Sequence, residues 1–181
     1  MIKLTCPVNP EQVKSLRAGD VVYISGTIYT GRDAAHKRLC ELLVENKPLP
    51  IDVNNMAIYY VGPTPAKPDR VIGSAGPTSS YRMDAYTEPL LKQGLKVMIG
   101  KGPRSDELKQ NLIKYGAVYM SAIGGAAASI SESVKSCSVV AYEDLGAEAI
   151  HKLEVEDFYA IVTYDSVGGD LFLDGIKQYK E

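Results

Sequence analysis

The hydrophobic positions of the chain fall into eight short runs rich in β-branched and aromatic residues, a pattern typical of β-strands. Several runs are apolar at consecutive positions and are followed directly by glycine. Strands covered on both faces have this pattern, so the runs indicate a sheet that is at least partly parallel. The predicted strands are residues 21–25, 57–61, 70–72, 96–99, 117–120, 138–141, 159–164 and 170–173.

A helix is predicted at residues 33–45, between the first two runs. Counted from Ala35, apolar residues recur at i, i+4, i+7 and i+8, which gathers them on one face of a helix. Thr30 stands three residues before Asp33, the spacing of a capping box with Asp in place of the usual Glu. This helix is therefore expected to begin near Gly31.

Three further segments have helical periodicity. They are residues 84–93, 106–115 and 127–135, the last of which follows Gly124-Gly125. The first contains Pro89, which predicts a kinked or two-part helix. The second has acidic residues in its first turn, where the helix dipole favours them, and ends at Gly116.

The alternation of strands and helices predicts an α/β domain. Residues 159–173 resemble a hairpin that turns at Gly168-Gly169, so antiparallel strands are expected beside the parallel ones. The sequence has no long linker, low-complexity tract or fixed-period repeat. We therefore expect a single domain over residues 1–181.

Composition narrows the range of functions. The chain is 45% hydrophobic and 23% charged, as in ordinary globular proteins, and its formal charge of -2 argues against a general nucleic-acid or membrane-surface role. Any affinity for anions must therefore be local. No apolar run approaches the roughly 20 residues that span a bilayer, and the first residues do not resemble a signal peptide. We expect a cytoplasmic protein.

The three cysteines, Cys6, Cys40 and Cys137, are odd in number and far apart, with no C-x-x-C pair. This spacing argues against a disulfide framework and against a zinc or iron–sulfur site held by this chain alone. We interpret all three as small buried hydrophobic residues. No metal site is predicted in the chain.

Three glycine-rich junctions carry the candidate chemistry. They are SGTIYTGRDAAHKR (25–38), GSAGPTSSYRMD (73–84) and IGKGPRSDE (99–107). Each is predicted to link a strand to a helix, and such loops gather at the carboxyl edge of a parallel sheet, where helix N-termini bind anions. Each also contributes a cation: Arg32, Arg82 or Lys101. If the three converge, the pocket can hold more than one negative charge.

Taken singly, these side chains could also have purely structural roles. Arg32 could pair with Asp33 or Glu41, and Lys101 could be an ordinary solvated lysine. The glycine motifs match neither a Walker phosphate loop nor a dinucleotide-binding fingerprint, and no G-x-S-x-G elbow occurs. We interpret His36 as a boundary residue with a local hydrogen bond, the alternative being an acid/base role.

Six ordered blocks carry a family resemblance. They are TGRDAAHKR, GPTPAKP, GSAGPTSSYRMDAYTEPLL, IGKG, GAVYMSAIGGAAA and LGAEAIHKLEVEDFYAIVTYDSVGG. In order and spacing, these blocks resemble the beta subunit of class I iron–sulfur fumarate hydratase and of its sibling L(+)-tartrate dehydratase. The resemblance extends from about residue 4 to residue 173, nearly the whole chain.

The resemblance implies a swivelling β/β/α domain, in which a central, mostly parallel sheet lies between a helical layer and a smaller antiparallel sheet. It also implies a partner alpha subunit that holds a [4Fe-4S] cluster through three cysteines, with the active site between the two subunits. The substrate would be a small dicarboxylate. Oligomers of alpha–beta pairs are expected.

The same resemblance implies roles for individual residues. Arg32 is similar to a carboxylate-binding arginine, Thr78 to the proposed catalytic base, and Arg82 and Lys101 to its electrostatic supports. Cations adjacent to Thr78 would favour its ionised form. The acid that protonates the leaving hydroxyl would belong to the other subunit. Without the resemblance, we interpret the Thr78 side chain as a turn hydroxyl that only caps the next segment.

These observations leave four alternative hypotheses for the function of the chain. The first is the beta subunit of a hydro-lyase that interconverts fumarate and L-malate, and its nearest alternative is the L(+)-tartrate dehydratase beta subunit. A swivelling phosphoryl carrier with His36 as the acceptor is the third. The fourth is a non-catalytic anion-binding subunit.

Overall fold

The structure of the chain is a computed structural model, and it describes residues 2–122 and 127–179. Its strands form a seven-stranded sheet of order β1-β2-β3-β4-β5-β7-β6, in which β2 also pairs with β7. The strands are β1 (Ile2–Cys6), β2 (Val21–Thr30), β3 (Ala57–Tyr59), β4 (Val97–Gly100), β5 (Val118–Ser121), β6 (Val134–Ala141) and β7 (Ile150–Tyr164).

Strands β1 to β5 pair in parallel with one another, whereas β7 runs antiparallel to β2, β5 and β6. Because β7 is fifteen residues long, it reaches both β5 and β2. These pairings close the sheet on itself in a barrel-like arrangement. The prediction of a mixed α/β fold with both parallel and antiparallel strands is confirmed.

Helices connect and cover the strands. They are α1 (Pro10–Ser15), α2 (Asp33–Val44), α3 (Asp84–Lys92), α4 (Asp106–Tyr115), α5 (Ala127–Ser133) and α6 (Leu171–Tyr179), with 3-10 helices at Ser80–Met83 and Glu143–Glu148. Helix α3 packs between α2 and α4. No helix in the described ranges is both long and apolar enough to cross a membrane.

The central parallel strands β3, β4 and β5 are buried on both faces, as their apolar sequences predict. One face contributes Tyr59, Ile99 and Met120 to a core enclosed by the sheet. The opposite face contributes Ile58, Met98 and Tyr119 to a second core, against α2, α3 and α4. Removing apolar surface from water on both sides stabilises each strand by about 25 cal/mol for every Å² buried.

Several predicted boundaries are wrong. Residues 70–72 form no strand, and residues 170–173 begin helix α6 after a single bridge between Tyr164 and Asp170. The expected C-terminal hairpin therefore does not form, because β7 finds its antiparallel partners in β2, β5 and β6 instead. The helix predicted to reach residue 135 ends at Ser133, and Gly124-Gly125 lie outside the described residues.

The start of α2 also differs from the prediction. The N-cap position is Arg32, and its side chain makes no cap hydrogen bond. Thr30 does not form the expected capping box, because its Oγ1 accepts a hydrogen bond from the backbone N–H of His151 at 2.9 Å. The hydroxyl therefore ties the end of β2 to β7. Pro89 lies within a continuous α3, which begins at Asp84 directly after the 3-10 helix.

Two glycines with nearly the same backbone conformation allow a test of how closely β1 and β2 approach. Gly26 has φ of +98°, and a Cβ there would lie 2.3 Å from the carbonyl oxygen of Cys6. Gly19 has φ of +95°, and its Cβ would meet only Leu171 Cδ1 at 3.7 Å. A side chain at position 26 would therefore have both a strained backbone conformation and a steric clash. A side chain at position 19 would have the strained backbone conformation only.

We predict that Gly26→Ala lowers the free energy of unfolding by about 3 kcal/mol or more, because backbone strain and a backbone clash add. Gly19→Ala, the matched control, should cost about 1–2 kcal/mol from strain alone. Urea denaturation of both variants and the wild type measures the difference. Equal losses in the two variants would contradict the close strand contact.

Candidate functional site

The three predicted cations follow adjacent parallel strands. Arg32 follows β2, Arg82 lies in the segment that follows β3, and Lys101 follows β4. Main-chain hydrogen bonds join these segments at one edge of the sheet: the N–H of Gly31 donates to Tyr59 O at 3.0 Å, and that of Tyr60 donates to Ile99 O at 2.8 Å. The convergence expected from strand order is therefore present in the backbone.

Asp33 and Arg82 form the centre of the candidate site. Arg82 Nε donates to Asp33 Oδ1 at 2.7 Å, and Arg82 Nη2 donates to Oδ2 at 3.3 Å. Nη2 also donates to Thr78 Oγ1 at 2.8 Å. One carboxylate thus fixes the guanidinium in the orientation in which it reaches the threonine hydroxyl.

Arg32 shares the same carboxylate. Its Nε lies 3.8 Å from Asp33 Oδ2 and 3.0 Å from Glu148 Oε1, although the latter ion pair lacks hydrogen-bond geometry. Gly62 leaves room for this side chain, since a Cβ there would lie 3.2 Å from Arg32 Cδ and from Nη1. Two guanidinium groups therefore flank Asp33, and the carboxylate between them reduces their mutual repulsion.

The ionisation of Asp33 suits this position. Partial burial alone would raise the pKa of its carboxyl, but the hydrogen bond from Arg82 and the positive charges of Arg82 and Arg32 outweigh that effect and hold the pKa below its usual value. The pKa of Arg82 is raised in turn, chiefly by its hydrogen bond to Asp33. Both groups are charged at neutral pH.

Lys101 is joined to the Thr78 segment through its main chain. It forms a parallel bridge with Ser79, its N–H donates to Ser80 Oγ at 3.0 Å, and its carbonyl accepts from Ser80 N at 3.1 Å. The side chain is exposed, and within residues 2–122 and 127–179 it forms no ion pair. Among those residues, therefore, no carboxylate competes with a ligand for its ammonium.

His36 belongs to the core. Its side chain is fully buried, and Nδ1 lies 2.9 Å from the carbonyl oxygen of Arg32, to which it donates. The expected local hydrogen bond is confirmed, but the residue is internal and does not lie at the boundary. Burial lowers the pKa of His36 to about 4, so the ring is neutral. An enclosed ring cannot accept a phosphoryl group from a soluble donor without opening of the core.

The thiols of the chain do not suit a metal cluster. Cys6 is buried, and burial raises its pKa to about 12, whereas Cys40 and Cys137 are half-buried. Burial also raises the pKa of Cys40, to about 11, and that of Cys137. Cluster ligation requires thiolates. Among the described residues, no group of three or more His, Cys, Asp or Glu side chains could hold a metal ion.

Comparison with known proteins identifies the family. The model of the family described as "Fumarase C-terminus" matches residues 1–175. The chain belongs to the fumarase C-terminus family. A relative from Methanocaldococcus jannaschii named "Putative L(+)-tartrate dehydratase subunit beta" is 40% identical over 177 residues, covering 94% of this chain and 91% of that protein.

Other members of the fumarase C-terminus family are much longer than this chain. "Fumarate hydratase class I, anaerobic" from Escherichia coli strain K12 is 42% identical over 151 residues, which cover 82% of this chain but 28% of that protein. "Fumarate hydratase 1, mitochondrial" from Leishmania major is 36% identical over 177 residues, covering 95% and 32%. The chain thus spans about a third of the length of these relatives.

Sequence reasoning missed three residues of this fumarase C-terminus site. The sequence suggests Asp33 as a capping-box residue or a partner of Arg32, but its main contact, with Arg82, joins positions 49 residues apart. Glu148 comes from the 3-10 helix before β7, and no local spacing signals its approach to Arg32. Arg104 lies in the same glycine-rich junction as Lys101. The presence of a second cation beside these glycines is the sequence feature that indicates it as a candidate.

The buried His36 predicts a pH dependence of stability. In the unfolded chain, the His36 ring takes up a proton near its ordinary pKa of 6.5. In the folded chain, burial lowers this pKa to about 4. The free energy of unfolding therefore has its full value above pH 6.5, where the ring is neutral in both states. It decreases by about 3 kcal/mol as the pH falls towards 4, because only the unfolded chain takes up the proton. Denaturation of wild type and His36→Gln between pH 7 and 4 should show a shallower decline in the variant. Parallel declines would contradict the neutral, buried ring.

Proposed function

We propose that the chain is the beta subunit of a [4Fe-4S]-dependent hydro-lyase that interconverts fumarate and L-malate together with an alpha subunit. The observation that carries the proposal is the Thr78–Arg82–Asp33 arrangement, with Arg32 and Lys101 on adjoining segments, in a member of the fumarase C-terminus family. The names of the longer relatives support the reaction. We place the active site at the interface between the subunits.

The proposed fold is the swivelling β/β/α arrangement. Strands β1 to β5 would form the central, mostly parallel sheet, and α2, α3 and α4 the helical layer on one face. Strands β6 and β7, with the part of β2 that pairs with β7, would form the smaller antiparallel sheet. The antiparallel pairing of β2 with β7 would then join the two sheets.

Arg32 would bind a substrate carboxylate. In its ion pairs with Glu148 and Asp33, the nearest nitrogen of the guanidinium is Nε. The other two nitrogens form the fork that binds a carboxylate in a bidentate manner. Since an ion pair at about 4 Å gains roughly 4 kcal/mol at the effective dielectric near a protein surface, against about 1 kcal/mol in water, partial enclosure by the alpha subunit would strengthen this contact.

Thr78 would remove the proton from the carbon next to a substrate carboxylate. A threonine hydroxyl is a weak base, but Arg82 Nη2 already donates to its Oγ1 at 2.8 Å, and such a hydrogen bond favours the ionised oxygen. As the C–H bond breaks, negative charge develops on the adjacent carboxylate. Cations held in position before the reaction stabilise that charge more than they strengthen substrate binding.

The remaining parts of the reaction would come from the alpha subunit. We assign to it the iron–sulfur cluster, because no group of three or more His, Cys, Asp or Glu side chains among the described residues could hold a metal ion. We also assign to it the acid that protonates the departing hydroxyl. The cluster would bind the substrate hydroxyl that leaves. We further propose that alpha–beta pairs assemble into larger oligomers.

L(+)-tartrate dehydratase is the second candidate. A specific observation favours it: the Methanocaldococcus relative with "tartrate dehydratase subunit beta" in its name matches this chain over 91% of its own length, as a separate subunit of similar size would. Tartrate differs from malate by one hydroxyl, and the same arginines and threonine would serve either substrate. A non-catalytic anion-binding subunit is the outcome expected if neither substrate reacts.

The experiment that tests the function is anaerobic co-expression with the alpha subunit from the same cells. We predict that the purified pair converts L-malate to fumarate, measured by ultraviolet absorbance, and that this chain alone does not. L(+)-tartrate, followed by oxaloacetate formation, is assayed in parallel to distinguish the second candidate. A pair that contains the cluster but converts neither substrate would contradict the proposal.

The same preparation tests Thr78. Thr78→Ala should lower kcat by about 100-fold or more, the lower range for loss of a general base. Ser79→Ala is the matched control, because no described hydrogen bond involves the Ser79 hydroxyl, and it should retain most of the activity. Unchanged turnover in Thr78→Ala would remove the threonine from the role of base.

A further inference from the structure

Arg104 is a buried cation that lies outside the groups assigned to substrate. Its side chain has 0% exposure, and its Nε donates a hydrogen bond to Asp84 Oδ1. We propose that Arg104 is a positioning residue, which holds the segments carrying Thr78, Arg82 and Lys101 in register. Its effect on turnover rests on the function proposed above, whereas its effect on the backbone does not.

The first connection runs through the start of α3. Asp84, which receives the Arg104 hydrogen bond, lies directly after the 3-10 helix that carries Arg82. Its other oxygen accepts from the N–H of Ser105 at 2.7 Å, and Arg104 Nη2 donates to Thr87 Oγ1 at 3.1 Å. The guanidinium therefore fixes the Arg82 segment and the start of α3 against the loop that follows β4.

The second connection runs through two buried tyrosines. The guanidinium carbon of Arg104 lies 5.3 Å from the ring centre of Tyr60 and 4.9 Å from that of Tyr119, within the range of cation–π attraction. Tyr60 accepts the backbone N–H of Thr78 on its carbonyl oxygen at 2.8 Å. Arg104 therefore packs on the side chain of the residue whose carbonyl oxygen holds the backbone of Thr78.

Tyr119 extends the connection to Lys101. Its hydroxyl contacts Ser80 Oγ and Gly102 O, each at 3.0 Å, and the same Ser80 Oγ accepts the N–H of Lys101 at 3.0 Å. Space here is tight, because a Cβ at Gly100 would lie 1.9 Å from Ser80 Oγ. A small displacement of the Tyr119 ring would therefore shift the backbone on both sides of Lys101.

A role in stability alone does not account for a cation at this position. Burial of a charge is costly, and replacement of a buried ion pair by apolar side chains of similar size is often neutral or stabilising. Within the described residues, Arg104 Nη1 also lacks a hydrogen-bond partner, a further cost. What the guanidinium provides is simultaneous contact with a carboxylate, a hydroxyl and two aromatic rings, which fixes their relative positions.

The test is hydrogen exchange of individual backbone amides, measured by NMR on the isotope-labelled chain. The variant is Arg104→Met combined with Asp84→Asn, which removes both charges and leaves neither one buried alone. We expect exchange at the N–H groups of Thr78 and Lys101 to become at least about 10-fold faster than in the wild type. The N–H groups of Gly19 and Ala117, bonded to Val162 O and Leu112 O, should keep their protection.

Arg104→Lys is the second variant and the safeguard against misfolding of the first. Lysine retains the charge and the pairing with Asp84 but cannot also reach Thr87 and stack on both rings. It should therefore show the same local acceleration at Thr78 and Lys101, to a smaller extent. Unchanged exchange at these two amides in the folded variants would overturn the proposal, as would equal acceleration at all four amides, which indicates loss of global stability only.

Turnover in the assembled enzyme provides the functional readout. With alpha subunit present, the double variant should lose at least about 10-fold in kcat while KM changes less than about 3-fold, because displaced groups act mainly in the transition state. A loss confined to KM would contradict positioning of Thr78 and Lys101. Hydrogen exchange requires neither substrate nor alpha subunit, so an inactive wild-type pair would defeat the proposed function and leave the positioning result intact.

Discussion

The carboxylate of Asp33 is the interaction on which the site depends. Two arginines approach the same edge of the sheet, and like charges at this separation repel unless a counter-charge lies between them. Asp33 supplies that charge: it accepts two hydrogen bonds from Arg82 and lies 3.8 Å from Arg32 Nε. The orientation of Arg82 towards Thr78 follows from this contact.

The position of Asp33 follows from the architecture. It begins helix α2, directly after β2, and the parallel strands β3 and β4 lead the other two segments to the same edge. Both faces of these strands are buried in separate cores, so their ends have little freedom to move. The backbone segments that carry the candidate groups are therefore held by a rigid scaffold before a substrate arrives.

The sequence predicts the parts of the fold that depend on local pattern. Apolar runs predict strands β3, β4 and β5, and helical periodicity predicts α2 and α4 to within one residue. Failures occur where distant residues decide the structure. Thr30 has the spacing of a cap but bonds instead to His151, and residues 170–173 have a strand-like composition but begin a helix beside β7.

The same distinction applies to the site. Glycine-rich junctions that each carry a cation predict convergence at one edge, and the structure brings these segments together. The contacts that orient the cations are not predictable from spacing, since Asp33 meets Arg82 across 49 residues and Arg104 lies beneath the surface on Tyr60 and Tyr119. A local motif shows that a charge is available, but long-range packing determines where it points.

The most direct test of this account is the side-chain Nε–H signal of Arg82, assigned with an Arg82→Lys variant and recorded by NMR at neutral pH. In the wild type, the account predicts a resolved, slowly exchanging signal, since Nε donates to Asp33 Oδ1 at 2.7 Å. In Asp33→Asn, that signal should broaden or exchange rapidly, while the signal of Arg104, bonded to Asp84, is unchanged. An Arg82 signal that stays sharp and protected in Asp33→Asn would contradict the central role of this carboxylate.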